Sequence, residues 1–313
     1  MTTTGSNGLK DCVEGVVVRI DSHFPLVEYA GRKFRCTLRK KLKRGHRDET
    51  HKICVGDRVL FSPPNHEHEQ DIAPIEGVLP RKTQLTRKAA RHEGMSQALV
   101  ANVDRLIVVV SASAPELNPR LIDRVLVAGE NGKLECVICV NKMDLAERNK
   151  IEPLVAHYPV IGYKLIFTSA LTGEGLDGFR EALKDKSSVI AGPSGAGKST
   201  LLNAIQPGLK LSTREVSEVT GKGKHVTTFV QLIPLDFGGY VVDTPGIREF
   251  GLWDVSKSDL QDLFREIAPY IGQCKFHDCT HTHEPQCAVK AAVEAGKIPR
   301  LRHESYCAIF ASL

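Results

Sequence analysis

A run of nine residues in the second half of the chain has the composition of a phosphate-binding loop. It lies between the apolar stretch Ser188–Ala191 and the helical pattern Leu201–Ile205, the strand-to-helix context that such a loop requires. Glycines let backbone N–H groups turn toward phosphate oxygens, and the helix N-terminus adds the positive end of its dipole. Lys198 would reach the β- and γ-phosphates, and the Ser199 hydroxyl would bind Mg²⁺. The run consists of Gly192, Pro193, Ser194, Gly195, Ala196, Gly197, Lys198, Ser199 and Thr200.

A second motif, Asn141-Lys142-Met143-Asp144, follows the apolar stretch Cys136–Val140 and offers a carboxylate for base recognition. In α/β proteins, ligands bind at the carboxyl ends of the strands. The Asp144 carboxylate can accept hydrogen bonds from N1–H and the 2-amino group of guanine, whereas adenine lacks that amino group and presents a lone pair at N1. A site of this design rejects the wrong base by on the order of 10⁴-fold. The motif therefore predicts a guanine nucleotide, bound by Asn141, Lys142 and Asp144.

Two further short motifs follow predicted strands. Thr168-Ser169-Ala170 resembles the second guanine-contacting loop of GTPases, in which the backbone of Ser169 and Ala170 would bind O6 of the base. In Asp243-Thr244-Pro245-Gly246, Asp243 would hold Mg²⁺ through water and the Gly246 amide would sense the γ-phosphate. An ABC-type or kinase-like ATPase would need a Leu-Ser-Gly-Gly-Gln signature or a phosphoacceptor site, and the sequence contains neither.

The order of these motifs differs from that of most GTPases, which begin with the phosphate loop. Here the motifs at 141 and 169 precede the phosphate loop at 192, and two candidate threonines at 227–228 and the motif at 243 follow it. The sequence therefore predicts a circularly permuted GTPase domain. One consequence is that the C-terminal region is attached directly to the second switch, 243–253, which responds to the γ-phosphate.

Near the C-terminus, cysteines and histidines are spaced as metal ligands. Three thiolates and one imidazole are a common tetrahedral zinc set, and this segment is too short for a core of its own. We therefore expect one structural zinc ion per chain. The candidate ligands are Cys274, Cys279 and Cys287, with His277, His281 and His283 as alternatives for the fourth position.

The composition is that of an ordinary globular protein, 42% hydrophobic and 25% charged, which excludes wholesale disorder. No uninterrupted apolar stretch approaches the ~18 residues of a membrane span, and the polar start of the chain lacks an export signal. Nine cysteines in such a chain favour reduced thiols or metal ligands over disulfides. We expect a cytoplasmic monomer with no membrane partner.

The positive charge is concentrated toward the N-terminus. Residues 1–100 hold 18 Lys/Arg against 12 Asp/Glu, whereas the remaining residues hold 24 against 25. The run Arg32–Arg47 has nine basic residues and no acidic one. Such a run is either a solvated loop or a phosphate-binding surface, and we expect the second, with RNA as its partner.

The elements that position these residues fall into three groups. Five short β-rich runs between 13 and 78 suit a small barrel, of which the OB type is the commonest nucleic-acid-binding version. Strands and helices alternate from 105 to 252, which predicts an α/β domain with a mostly parallel sheet. Helical spacing over Leu260–Ile267 and Val289–Val293 predicts helices around the Cys/His loop. We divide the chain into an OB-fold RNA-binding domain (1–82), a linker (83–100), the permuted GTPase domain (101–253) and a zinc-binding helical domain (254–313).

Taken together, these features resemble, from end to end, the bacterial family of ribosome small-subunit-dependent GTPases called RsgA or YjeQ. The resemblance rests on Ala-Asn-Val-Asp at 101–104, the permuted motif order, Asp-Thr-Pro-Gly-Ile-Arg-Glu-Phe-Gly-Leu-Trp at 243–253, and the cysteine cluster. It implies a role in late maturation of the small ribosomal subunit, with that subunit and its rRNA as partners. It also implies that the subunit stimulates GTP hydrolysis, which is coupled to release. The alternative is a GTP-dependent RNA-binding regulator without significant turnover.

The resemblance also implies roles that the residues alone leave open. Family spacing selects His281 as the fourth zinc ligand. His225, in the polar switch segment 212–228, resembles the family's proposed catalytic histidine, because Ile247 stands where Ras-like enzymes have a water-orienting glutamine. In the same segment Thr228, or else Thr227, would join Ser199 and Asp243 in binding Mg²⁺. The expected catalytic residues are thus His225, Lys198 and Thr228.

Overall fold

A computed structural model describes residues 12–21, 24–39, 53–64, 72–88, 96–209, 230–243 and 255–313. The chain divides into two compact units, which we describe separately. The first comprises Met1–Asp104, Leu183–Val189 and Lys210–Ile247, and the second Arg105–Ala182, Ile190–Leu209 and Arg248–Leu313. The four-part division made from the sequence remains a prediction.

A closed five-stranded barrel forms most of the first unit. Its apolar side chains alternate along each strand and meet inside, where Val17, Val59, Phe61 and Ile75 are fully buried. The first strand pairs antiparallel with the second and the fourth, and the third and fifth are parallel, which closes the barrel in the OB order and confirms the predicted fold. The strands are β1 (Val13–Asp21), β2 (Phe24–Tyr29), β3 (Arg32–Leu38), β4 (Arg58–Phe61) and β5 (Ala73–Val78).

The segment predicted to be a linker, 83–100, contains most of a two-stranded antiparallel sheet, β6 (Gln84–Lys88) and β7 (Ser96–Ala101). Its basic residues obscure the alternation, but Leu85, Ala98 and Val100 are buried. Val100 also forms a β-bridge with Val55 of the barrel unit. Burial of alternate side chains, rather than charge, therefore determines the structure here.

The α/β part of the second unit begins with three parallel strands, β8 (Arg105–Ser111), β9 (Glu135–Asn141) and β10 (Lys164–Phe167), which lie in the order β10, β9, β8. Every residue of β8 after Arg105 is buried, as expected for strands covered on both faces. The first helix begins after Asn118, whose side chain accepts a hydrogen bond from the Arg120 N–H, and it ends at Gly132. The helices are α1 (Pro119–Asn131), α2 (Arg148–Val155), α3 (His157–Val160) and α4 (Leu176–Leu183).

The next strand, β11 (Ser187–Ala191), leads into α5 (Lys198–Ile205). Two further strands, β12 (Gln231–Pro234) and β13 (Tyr240–Asp243), belong to the first unit. They are antiparallel to each other, and β13 is parallel to the beginning of β11. The predicted strands of the α/β region are thus present, and the fold class is confirmed.

The C-terminal region is less helical than predicted. Leu260, Phe264 and Ile267 are fully buried, as their spacing requires, but the chain forms two 3-10 turns, Leu260–Leu263 and Ala268–Tyr270, instead of a helix. Pro269 has no N–H to continue an α-helical ladder. The predicted helix after the Cys/His loop is α6 (Ala288–Glu294), and α7 (Arg300–Ser312) follows it. Among the helices that the structure describes, none combines the length and apolar character needed to span a bilayer.

Candidate functional site

The predicted phosphate loop connects β11 to α5, as the sequence requires. Gly192 and Gly197 have φ angles of +152° and +89°, and a Cβ atom there would lie 1.9 Å from the Val109 oxygen and 2.3 Å from the Asn141 Nδ2. Only glycine fits at these positions. The Lys198 ammonium donates hydrogen bonds to the carbonyls of Gly192 (2.7 Å) and Pro193 (2.8 Å), so its charge lies within the loop.

Asn141 connects the phosphate loop to the two loops predicted to bind guanine. It follows β9's buried run and is 1% exposed. Its Nδ2 donates to the Ala196 carbonyl at 2.9 Å, and its Oδ1 accepts from the Thr168 hydroxyl at 3.2 Å. Three loops that are far apart in the sequence therefore meet at one buried amide.

Asp144 lies beside the second predicted guanine loop. It is exposed, and its Oδ1 accepts a hydrogen bond from the Ser169 hydroxyl at 2.5 Å. Ser169 is fully buried and also accepts from the Thr172 N–H at 3.1 Å. This arrangement fixes the direction of the Asp144 carboxylate while leaving it open to a ligand. The Lys142 ammonium donates to the Ala114 carbonyl.

The remaining predicted nucleotide residues are only partly described. Asp243 is the last residue of β13, and only its backbone position is described. His225, Thr227, Thr228 and Gly246 lie outside the described residues. Their roles stay predictions from the sequence.

The four predicted metal ligands, Cys274, Cys279, His281 and Cys287, form one cluster in which the ligand atoms lie within 4.8 Å of one another. The Cys274 and Cys287 sulfurs are 3.8 Å apart, and the His281 Nδ1 lies 3.5 and 3.4 Å from them. A tetrahedral ion with Zn–S near 2.3 Å and Zn–N near 2.0–2.1 Å separates its sulfurs by about 3.8 Å and sulfur–nitrogen pairs by about 3.6 Å. The cluster could therefore hold a metal ion.

Burial distinguishes among the three histidines that the sequence leaves as alternatives for the fourth metal ligand. His281 is 2% exposed and belongs to the cluster, whereas His277 and His283 are exposed. Burial lowers the pKa of His281, which favours the neutral imidazole that metals require. Burial also raises the pKa of the Cys279 thiol to about 12, so a bound cation is needed to hold it as a thiolate.

Two residues that the sequence did not identify support this cluster. The Gln261 Oε1 lies 3.0 Å from the His281 Nε2, which leaves Nδ1 to face the cysteines. Glu284 accepts hydrogen bonds from the Thr280 N–H at 2.9 Å and the Thr282 N–H at 3.1 Å. Burial alone would raise the pKa of Glu284, but hydrogen bonds from Thr280 outweigh it and hold this pKa at about 2. The sequence does not point to either residue, because neither lies at a recognisable spacing from the ligands. Both reach the cluster only when the loop has folded.

The second unit also contains a buried network of ion pairs that the sequence did not predict. Arg302 of α7 is fully buried and contacts Asp123 of α1 at 2.5 Å and Glu266 at 2.6 Å. The Tyr158 hydroxyl donates to Asp123 at 2.7 Å. Burial alone would lower the pKa of Arg302, but Asp123 and Glu266 raise it above its ordinary value. The last helix is thus connected to α1 by charge as well as by apolar packing.

Replacing Arg302 with methionine should lower the free energy of unfolding by about 3–5 kcal/mol, because two buried carboxylates lose their counter-charge. Urea unfolding of the metal-replete protein measures this. The matched control is Arg300→Met, whose ion pair with Glu304 is exposed and whose loss should change stability little. Equal stability of the two variants would contradict a structural role for the network.

A parallel α/β sheet, a glycine-rich phosphate loop and two loops predicted to contact the base, joined through one asparagine, define a P-loop GTP hydrolase of the circularly permuted class. The family model for the RsgA GTPase matches residues 78–253. This chain belongs to the RsgA GTPase family.

Its relatives extend over nearly the whole chain. The small ribosomal subunit biogenesis GTPase RsgA of Sodalis glossinidius is 40% identical over 311 residues, 97% of this chain and 87% of that protein. The protein of the same name from Thermotoga maritima is 43% identical over 96% of both chains. Among solved structures, YjeQ from Thermotoga maritima gives a TM-score of 0.77 at 38% identity, covering 96% of this chain and 98% of that one. YloQ, described as a circularly permuted GTPase, gives 0.72 at 29% identity, covering 99% and 97%.

Proposed function

We propose that this chain hydrolyses GTP in the late maturation of the small ribosomal subunit, which stimulates hydrolysis, and that hydrolysis releases the chain from the subunit. The observation that carries this proposal is that the three loops proposed to bind the nucleotide meet at Asn141. Relatives named for small ribosomal subunit biogenesis match the chain over nearly its full length and support the same role. Such a role places a monomer in the cytoplasm, with the subunit and its rRNA as partners. The regulator without turnover is not favoured, because the family is one of GTPases.

In this proposal the loop Gly192–Thr200 binds the phosphates of GTP. Lys198 balances their charge, and the N-terminus of α5 points its N–H groups toward them. Ser199 and either Thr228 or Thr227 would hold Mg²⁺ directly and Asp243 would hold it through water, and the ion would neutralise phosphate charge. The Gly246 amide senses the γ-phosphate, and His225 orients the attacking water.

The guanine base is bound by the two loops that hydrogen-bond to each other. Asp144 accepts from N1–H and the 2-amino group, and its position beside Ser169 supports this role. The backbone of Ser169 and Ala170 binds O6. Asn141 holds these loops against the phosphate loop, while the Lys142 side chain lies beside the base.

The experiment that tests the function measures GTP hydrolysis with and without purified small ribosomal subunits. We expect slow turnover by the protein alone and a large increase with small subunits, since Ile247 cannot orient water. Large ribosomal subunits serve as the control and should not stimulate. An unchanged rate with small subunits would contradict the proposal and favour the regulator without turnover.

We further propose that the cysteine cluster holds one structural zinc ion per chain, which the donor set and the interatomic distances support. Cys279→Ala should lose the metal and unfold the segment after about Gln273, because the loop between the first and last ligand buries no apolar side chain apart from its own cysteines. Elemental analysis and limited proteolysis measure both effects. Cys307→Ala, which removes a half-buried cysteine outside the cluster, is the control and should keep the zinc. Zinc-free wild-type protein from metal-replete growth would contradict the assignment.

We also propose that the basic run of the barrel binds rRNA. Only its first part is described, where Arg39 is largely exposed and pairs with Glu76 at 2.6 Å. Changing Arg39, Lys40, Lys41, Lys43 and Arg44 to alanine should weaken subunit binding, and the salt slope should fall by about 0.7–0.9 for each phosphate that is no longer neutralised. GTP affinity should stay unchanged. Alanine at the exposed Lys133, Lys164 and Lys184 is the control. Equal subunit affinity of the two variants would make the run a solvated loop.

A further inference from the structure

The barrel and two strands that adjoin nucleotide segments form one continuous sheet within the first unit. Strand β1 of the barrel pairs with β12, and β12 pairs with β13. In the register, Arg19 lies opposite Gln231, and Gln231 lies opposite Asp243. The proposed Mg²⁺ residue is therefore two strands away from β1, through the single pair Arg19–Gln231 and the pair Gln231–Asp243.

The other end of β13 contacts the barrel through a side chain. The Tyr240 hydroxyl donates to the Glu28 Oε1 of β2 at 2.9 Å, and both residues are half-buried. Burial, followed by this hydrogen bond, raises the pKa of Tyr240. Tyr240 is the first residue of β13 and Asp243 is the last, so one four-residue strand joins the two positions.

Residues 102–104, which follow β7, hydrogen-bond both to the barrel and to β11, the strand that precedes the phosphate loop. The Asn102 Nδ2 donates to the Gly56 carbonyl at 3.0 Å, on the barrel side. Two residues later, the Asp104 N–H donates to the Ser187 carbonyl at 2.7 Å, and the Asp104 Oδ2 accepts from the Ser187 N–H at 2.8 Å. Ser187 in turn lies opposite Tyr240 in the sheet. We call this set of contacts, from Glu28 and Gly56 to Tyr240 and Ser187, the junction.

The junction borders a pocket of about 160 Å³ that is partly open to solvent. Val16 and Glu28 of the barrel, Asn102, Ser187 and Tyr240 line this pocket. The side chains of the junction are therefore not enclosed by protein on every side, and its hydrogen bonds help to fix how β13 and β11 lie against the barrel.

We propose that the junction couples occupation of the barrel to the arrangement of the nucleotide loops, and that Tyr240 and Glu28 are positioning residues for stimulated hydrolysis. A displacement of β2 on RNA binding moves Tyr240 through the hydroxyl–carboxylate bond, and β13 carries that shift to Asp243. This inference rests on the proposed function, since it assumes stimulation by the small subunit. It requires no contact between Tyr240 and the nucleotide.

The test compares GTP hydrolysis with and without small ribosomal subunits for wild type, Tyr240→Phe, Glu28→Leu, Glu28→Gln and the double variant Tyr240→Phe/Glu28→Leu. Loss of the bond should lower the stimulated rate by about 3- to 10-fold and leave the basal rate and GTP affinity unchanged. The double variant should be no worse than either single one, because both remove the same bond. Glu28→Gln keeps an acceptor oxygen and should retain most of the stimulation.

Tyr163→Phe is the matched control. Its hydroxyl is buried and has no hydrogen-bond partner among the described residues, so its removal breaks no bond. A second measurement is the ratio of subunit affinities with a non-hydrolysable GTP analogue and with GDP. Linkage requires this ratio to shrink in Tyr240→Phe, which a loss of stability alone would not produce.

The outcomes separate the two proposals. If small subunits do not stimulate the wild type, the proposed function fails, and this inference fails with it. If they stimulate wild type and Tyr240→Phe equally, with equal affinity ratios, the function stands and the coupling role of the junction is wrong. Strictly additive losses in the double variant would also contradict a shared bond.

Discussion

Replacement of His225 by alanine should lower the subunit-stimulated rate of GTP hydrolysis by about 10²–10⁴-fold, the range for a group that positions or deprotonates the attacking water. Affinity for GTP should stay the same, because recognition depends on the phosphate and guanine loops. The reason for this expectation is chemical. The position after Asp-Thr-Pro-Gly holds Ile247, which cannot orient water, so a group elsewhere must do so, and His225 is the candidate in this chain.

Single-turnover hydrolysis with saturating small subunits is the measurement for this variant. Binding to the subunit in the GTP state should persist, so the complex should accumulate instead of dissociating. His277→Ala, which removes an exposed histidine outside the metal cluster, is the matched control and should keep the stimulated rate. If His225→Ala keeps the wild-type stimulated rate, a different group, of this chain or of the subunit, orients the attacking water.

Replacement of Asp144 by asparagine should weaken GTP binding by about 10²–10⁴-fold, since one of the two hydrogen bonds from guanine loses its acceptor and the other loses its charged acceptor. The structure gives this carboxylate a defined direction through the Ser169 hydroxyl, and it remains exposed to a ligand. Asparagine has similar size but offers one acceptor and one donor group. The selection of GTP over ATP should therefore disappear.

Competition binding with GTP, ATP and xanthosine triphosphate measures this change. Xanthine has a carbonyl where guanine has its 2-amino group, so the asparagine amide can donate to it, and the variant should prefer it. That gain is an internal control, because a misfolded site would bind none of the three. Equal competition by ATP and GTP for the wild type would contradict guanine recognition altogether.

The sequence alone allows the local chemistry of the nucleotide and metal sites to be predicted, because that chemistry depends on short contiguous segments. A phosphate loop works through its own backbone and the helix that follows, so Gly192–Thr200 carries its context within a few residues. The same holds for Asn141–Asp144 and for the three cysteines. Short β-rich runs between turn residues likewise predicted the five barrel strands, and continuous apolar runs predicted the strands of the α/β region, since strands buried on both faces leave such runs in the sequence.

The tertiary structure decided what depends on partners far apart in the sequence. The sequence could not show that the Asn141 amide joins Ala196 to Thr168, or that Gln261 directs the ring of His281. It also gave no sign that Arg302 pairs with Asp123, or that Tyr240 contacts Glu28. A hydrogen bond or ion pair has no periodicity and depends on where the chain returns after many residues. These contacts therefore become visible only when the elements have packed, because packing brings their atoms within bonding distance.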